Sequence, residues 1–94
     1  MDLLLPERVA RALTPTETRL WLAIIEQGSA PCRMSDLGIL ANTSSGTARR
    51  VLIILIRKGW VSYRYPVAKL TRLAPRQWTA HQDPIPRGQR KAGV

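Results

Sequence analysis

The chain has no phenylalanine, a single cysteine, a single histidine and six acidic residues against fifteen basic ones. Each shortage excludes a chemistry. Cys32 alone forms no internal disulfide and has no companion thiolates for zinc, so nothing calls for an oxidising compartment. His81 stands among polar residues, without the cysteine or acid cluster from which a metal site is built. No two carboxylates are spaced to work as a pair on one helix face, and neither the P-loop nor the dinucleotide glycine pattern occurs. The Ser44-Ser45 pair lacks a histidine within plausible reach. An enzyme is not expected, and neither is a cofactor.

Long apolar runs are missing as well. Val51 to Ile56 is six residues between Arg50 and Arg57, against about 20 for a helix that crosses a membrane. Met1 to Leu5 has an acid ahead of its three leucines and Pro6 behind them, unlike a signal peptide. The expectation is a soluble, cytoplasmic, nucleoid-associated protein with no membrane partner. At 94 residues and 45% hydrophobic, the chain has material for one modest core and not for two.

What is abundant is positive charge, and it is unevenly spread. Residues 1–42 carry Arg8, Arg11, Arg19 and Arg33 against Asp2, Glu7, Glu17, Glu26 and Asp36, a balance of −1. Residues 43–94 carry eleven cations and only Asp83, a balance of +10, and the two sum to the chain's +9. A generally basic protein explains the sum but not the asymmetry. A surface that binds phosphates explains both, since each neutralised phosphate releases condensed counterion.

Local patterns divide the chain. Pro6 suits the first position of a short helix with Val9, Ala10 and Leu13 towards one side, either an arm that dimerises or a frayed end. Thr14-Pro15-Thr16-Glu17 is a capping box opening a helix with an apolar stripe of Leu20, Trp21, Ala23, Ile24 and Ile25, ended by Gln27-Gly28. Ser29 to Arg33, interrupted by Pro31, reads as a loop or very short edge strand. Leu37, Leu40 and Ala41 share a face of the next helix, and Asn42-Thr43 suits a left-handed turn. Ser44 is then an N-cap, with a helix running over 44–58 to Arg57-Lys58 and a stop at Gly59. A competing reading makes Val51 to Ile56 a buried strand; the lack of turn residues between Ser45 and Lys58 argues for the helix. Trp60 to Tyr65 and Lys69 to Leu73 read as a hairpin broken at Pro66-Val67-Ala68.

From Met34 to Arg64 this succession resembles the winged helix-turn-helix family of DNA-binding domains, and Leu13-Thr14-Pro15-Thr16-Glu17 is similar to the opening of MarR-like transcriptional regulators. Ser35-Asp36-Leu37 falls where such domains begin their second helix, Ser44-Ser45-Gly46-Thr47-Ala48-x-Arg50 where the recognition helix begins, and Gly59-Trp60-Val61 where the chain enters the wing. The Asp-x-Arg wing pattern and long flanking helices of MarR-like proteins do not occur. The resemblance implies a fold that is mainly α with a small β-hairpin, a winged helix-turn-helix in the order α-(β)-α-α-β-β, over residues 14–74. Residues 1–13 are then an N-terminal arm or short helix, and 75–94 a basic, largely disordered tail whose Trp78 can pack back on the domain.

Helical phase selects the candidate site. Advancing about 100° per residue from Ala48 puts Val51, Leu52 and Leu55 within about 60° of it, as the buried stripe. Gly46, Arg50, Ile53 and Arg57 face the other way, with Arg49 on one flank and Ile54 on the other. The resemblance implies duplex DNA contacts from Ser44, Ser45, Gly46, Thr47, Arg49, Arg50 and Arg57 of the helix and Arg64, Lys69 and Arg72 of the wing. Arg50 is expected on a base edge, where two donors suit guanine, and Ser45 and Thr47 on phosphates. Ile53 and Ile54 are unusual on an outward face. Leu3, Leu4 and Leu5 or a second subunit is expected to cover them, or Ile53 touches thymine methyls, and a homodimer follows from the first alternatives. The function expected is sequence-specific binding of double-stranded DNA by a small transcriptional regulator, or a replication or partition regulator of a mobile element. The alternatives are a protein-interaction module of a larger assembly and an RNA-binding basic protein. Having no phenylalanine, and both tyrosines on one strand, weakens the last.

Overall fold

The computed structural model describes residues 5–65 and 75–85. Four helices, α1 (Glu7–Ala12), α2 (Pro15–Gln27), α3 (Met34–Leu40) and α4 (Ser45–Lys58), precede two strands, β1 (Val61–Arg64) and β2 (Gln77–Ala80). The architecture is mainly helical with one small antiparallel sheet.

Helix limits follow local chemistry. At the start of α2, Glu17 N donates to Thr14 Oγ1 (3.2 Å) and Thr14 N to Glu17 Oε1 (2.8 Å), closing the expected capping box. Gly28 ends that helix at φ 69°, a conformation open to glycine at little cost. Buried Glu17 is also approached by Lys58 Nζ at 3.6 Å, tying the first turn of α2 to the last turn of α4. At α3, Arg33 N donates to Asp36 Oδ2 at 2.9 Å. Gly59 closes α4 at φ 84°.

The core joins all these elements. Leu20, Trp21 and Ile24 of α2, Leu37 of α3, Ala48, Leu52 and Leu55 of α4, and Val61 and Trp78 of the sheet are buried together. Val51, assigned to the buried stripe, is partly exposed at its margin. Ile25 and Leu40 depart from expectation, with 39% and 41% of their surfaces exposed. Each lies one residue beside a buried neighbour, about 100° around its helix. Seven-residue α3 is too short to cover both sides of its apolar face.

Of the two alternatives for residues 1–13, an arm or a short helix, the structure has the short helix α1, whose Val9 is fully buried. The strand opposite β1 is β2, not Lys69–Leu73, which lies outside the described residues; the register pairs Val61 with Ala80 and Tyr63 with Trp78. Segment 75–85, assigned above to a largely disordered tail, is therefore structured. The physical reason is Trp78, whose large ring fills the core while its Nε1 donates to Cys32 O at 3.1 Å. Ser29–Arg33, expected as a loop or a very short edge strand, is a loop with a single bridge, Cys32 to Arg76, made by two backbone hydrogen bonds of 2.9 and 3.0 Å.

Beyond β2 the chain straps back. His81 N donates to Trp60 O at 2.9 Å, Trp21 Nε1 donates to His81 O at 3.1 Å, and Arg8 pairs with Asp83. His81 Nε2 lies 2.7 Å from Ser62 Oγ. Burial holds its pKa below the ordinary 6.5. The folded chain thus prefers neutral imidazole while the unfolded chain takes the proton first, so this contribution to stability is intact above 6.5 and falls as the pH drops towards the folded-state value. The urea midpoint should decline over that window in the wild type and decline less in His81→Gln; equal declines would remove His81 from the account.

Cys32 is buried, and its thiol is pushed up to about 11 from 9.0, first by burial and then by the Asp36 carboxylate. That two-unit difference leaves about a hundredfold less thiolate in mildly alkaline buffer. Iodoacetamide should therefore label the native thiol at least about a hundredfold more slowly than the urea-unfolded one. Comparable rates would show that the bridge to Arg76 opens readily.

Candidate nucleic-acid interface

The α3–α4 pair is built on a close contact and a tight turn. Asn42 adopts φ 55°, the left-handed conformation anticipated from its residue type. Thr43 N donates to Gly38 O at 2.9 Å, which reverses the chain into Ser44. A Cβ added to Gly38 would lie 3.0 Å from Ala48 Cβ and 3.3 Å from Thr43 O, so glycine lets the two helices touch backbone to methyl.

Ser44 caps α4. Its Oγ accepts from Thr47 N at 3.2 Å and donates to Thr47 Oγ1 at 2.9 Å. Those bonds engage both hydroxyls within the helix start, so Ser44 and Thr47, both assigned to DNA above, serve the helix first. Ser45, Gly46, Arg49 and Arg50 are exposed, with Gly46 and Arg50 on the side opposite buried Ala48, Leu52 and Leu55 and Arg49 on a flank. A Cβ on Gly46 would meet nothing within 4 Å, so no packing demand accounts for glycine there. Among the described residues neither Arg49 nor Arg50 joins an ion pair, and α4 has no acid in its first turn. Cations without local partners project a field that favours polyanions. Arg57 is exposed near the far end of the helix, beside Lys58.

Of the strand candidates, Arg64 is exposed at the end of β1, with Nε donating to Gln77 Oε1 at 2.8 Å. Lys69 and Arg72 lie outside the described residues, as do Leu3 and Leu4. Leu5 packs against the core. Ile53 and Ile54 are half-buried and are not among the apolar side chains packed on the core, in keeping with their helical phase. The most exposed large aliphatic among the described residues is Ile39, at 77%, which sequence periodicity did not single out.

The arrangement also contains a cluster absent from the sequence reading. Arg76 lies against Tyr63, Tyr65 and Trp78, gathered on one face of the sheet at the end where residues 65–76 connect the strands. The signal lay in two i, i+2 pairs, Tyr63/Tyr65 and Arg76/Trp78, whose same-side alternation matters only once β1 and β2 are known to be neighbours. Among the described residues no group of three His, Cys, Asp or Glu side chains could hold a metal ion, and no helix is long and apolar enough to cross a membrane. Comparison of the chain with family models, with curated proteins and with solved structures finds no match in any of the three.

Proposed function

We propose that the chain is a winged-helix DNA-binding domain that inserts the N-terminal half of α4 into the major groove of a duplex and braces the strand connection on the backbone. The observation that carries this reading is the exposed start of α4. Small residues Ser45 and Gly46 there lead into Arg49 and Arg50, on a rigid helix held against α3 and lacking acidic neighbours in its first turn. The order of elements supports it too: α2, the Cys32 bridge, α3, α4, β1 and β2 correspond to α-(β)-α-α-β-β, with α1 added in front.

A domain this small makes few base contacts, so the reading includes two copies acting on a repeated site. Selection from random duplex DNA is the test. One enriched motif, often repeated at a fixed spacing, is expected, with affinity that falls steeply as salt rises. No enrichment together with no binding in low salt would end the proposal. Sedimentation that finds only monomer, with and without the selected duplex, would remove the second copy.

Exposed Ile39 and Leu40 and half-buried Ile53 and Ile54 favour one other reading, a module that docks on a protein. Duplex affinity insensitive to salt would favour it over the first.

A further inference from the structure

At the end of the sheet where β1 stops and β2 begins, four side chains form a single cluster. Tyr63 and Trp78 are register partners with ring centroids 5.3 Å apart, and Tyr65 stands edge-on to Tyr63 at 5.8 Å. The Arg76 guanidinium carbon sits 4.6 Å from the Tyr63 ring centre, 5.5 Å from that of Tyr65 and 5.6 Å from that of Trp78. Arg76 Nε donates to Tyr65 Oη at 3.0 Å. Its backbone is fixed as well, since its N–H and C=O both bond to Cys32. The fork is therefore oriented by three rings and one hydroxyl before any ligand arrives.

Aromatic faces attract a guanidinium but accept few of its in-plane N–H groups. The usual partner of a half-buried arginine is a carboxylate, and among the described residues none pairs with Arg76: the ion pairs are Arg8–Asp83, Arg11–Glu7 and Lys58–Glu17. Asp36, three residues beyond Arg33, accepts from Arg33 N at the start of α3. Two more arginines come from the adjoining backbone runs at the same end of the sheet. Arg33 follows Cys32, the bridge partner of Arg76, and Arg64 pairs with Gln77, the next residue along. Both are exposed. A planar, stacked, carboxylate-free fork flanked by exposed cations fits a tetrahedral oxyanion that offers two oxygens side by side.

We propose that Arg76 is a pre-oriented clamp for a backbone phosphodiester of the bound duplex, with Tyr63, Tyr65 and Trp78 as positioning residues that hold its plane. This rests on the reading of α4 as a DNA-binding helix. Phosphate contacts of this kind position the protein and carry no sequence preference, so the clamp serves every sequence alike. Stacking reduces the side-chain freedom lost on binding, which makes arginine here more than a unit of charge.

The test is a salt series of equilibrium affinities of the full chain for the selected duplex and for a scrambled one. In Arg76→Gln, affinity should fall roughly tenfold on both duplexes, and the slope of log affinity against log salt should shrink by about one. Arg76→Lys should keep the wild-type slope while still losing several-fold in affinity, because the charge remains and the stacked plane does not. Circular dichroism establishes that each variant is folded; should Arg76→Gln not fold, Arg76→Lys decides, and wild-type affinity in it overturns the clamp. A folded Arg76→Gln with unchanged affinity, or with weaker binding and an unchanged slope, also overturns it while leaving the α4 reading intact. Wild-type protein that binds neither duplex at low salt overturns both.

Discussion

Leucine in place of Gly38 is expected to stop α3 and α4 from closing and to lower the urea midpoint by the largest margin of any single change considered. A bare Cβ at that position already falls 3.0 Å from Ala48 Cβ and 3.3 Å from Thr43 O. The remaining atoms of leucine would have to enter packed core or push the helices apart. Overpacking of this kind costs about 1–3 kcal/mol and sometimes more, against a total of about 5–15 kcal/mol for a domain. A sharper version uses two small changes. Gly38→Ala should destabilise because Ala48 cannot move far, while Ala48→Gly should destabilise by weakening the helix and removing a buried methyl. Combined, they should cost less than the sum of the singles, since the second removes the atom that the first strikes. Strict additivity would mean that the contact is not what holds glycine at 38.

Arg50→Ala is the second large effect. Arg50 is exposed and joins no ion pair among the described residues, so its loss should leave the unfolding free energy within about 0.5 kcal/mol of wild type. On the selected duplex the consequence is different. A bidentate arginine–guanine pair contributes about 1–3 kcal/mol of discrimination, so affinity should fall by roughly 5- to 150-fold, with preference relaxed at one base pair only. Arg49→Ala, one flank away, should weaken all duplexes alike. If the two variants behave identically, with base preference untouched, Arg50 is a phosphate contact and the base-reading role passes elsewhere on α4.

What was legible in the sequence was whatever a few consecutive residues settle among themselves. The Thr14–Glu17 box, the Ser44 cap, left-handed Asn42 and terminal Gly59 each join groups three or four residues apart or satisfy one residue's own backbone, and each stands where the local pattern put it. Strand pairing is another kind of question. Gln77–Ala80 is four residues beside Pro75 and a polar run, and only contact with β1, across residues 65–76, makes it a strand. The Arg76 cluster inherits the same dependence, because its members converge only in one register. Gly38 and Gly46 make the point with one residue type. Both sit in helices with no distinguishing neighbours in sequence, yet one is enforced by Ala48 and the other faces open space.

β2 has an effect on how the molecule can be assembled. Its Trp78 closes a core whose other described walls come from Val9 to Val61, so this wall is synthesised after all of those. A nascent chain ending at residue 74 would hold α1 to α4 with an uncapped apolar opening, exposed to chaperones or to other nascent chains. Truncation mapping of protease resistance should therefore find no gradual gain along the sequence, but a single jump once residue 80 is present.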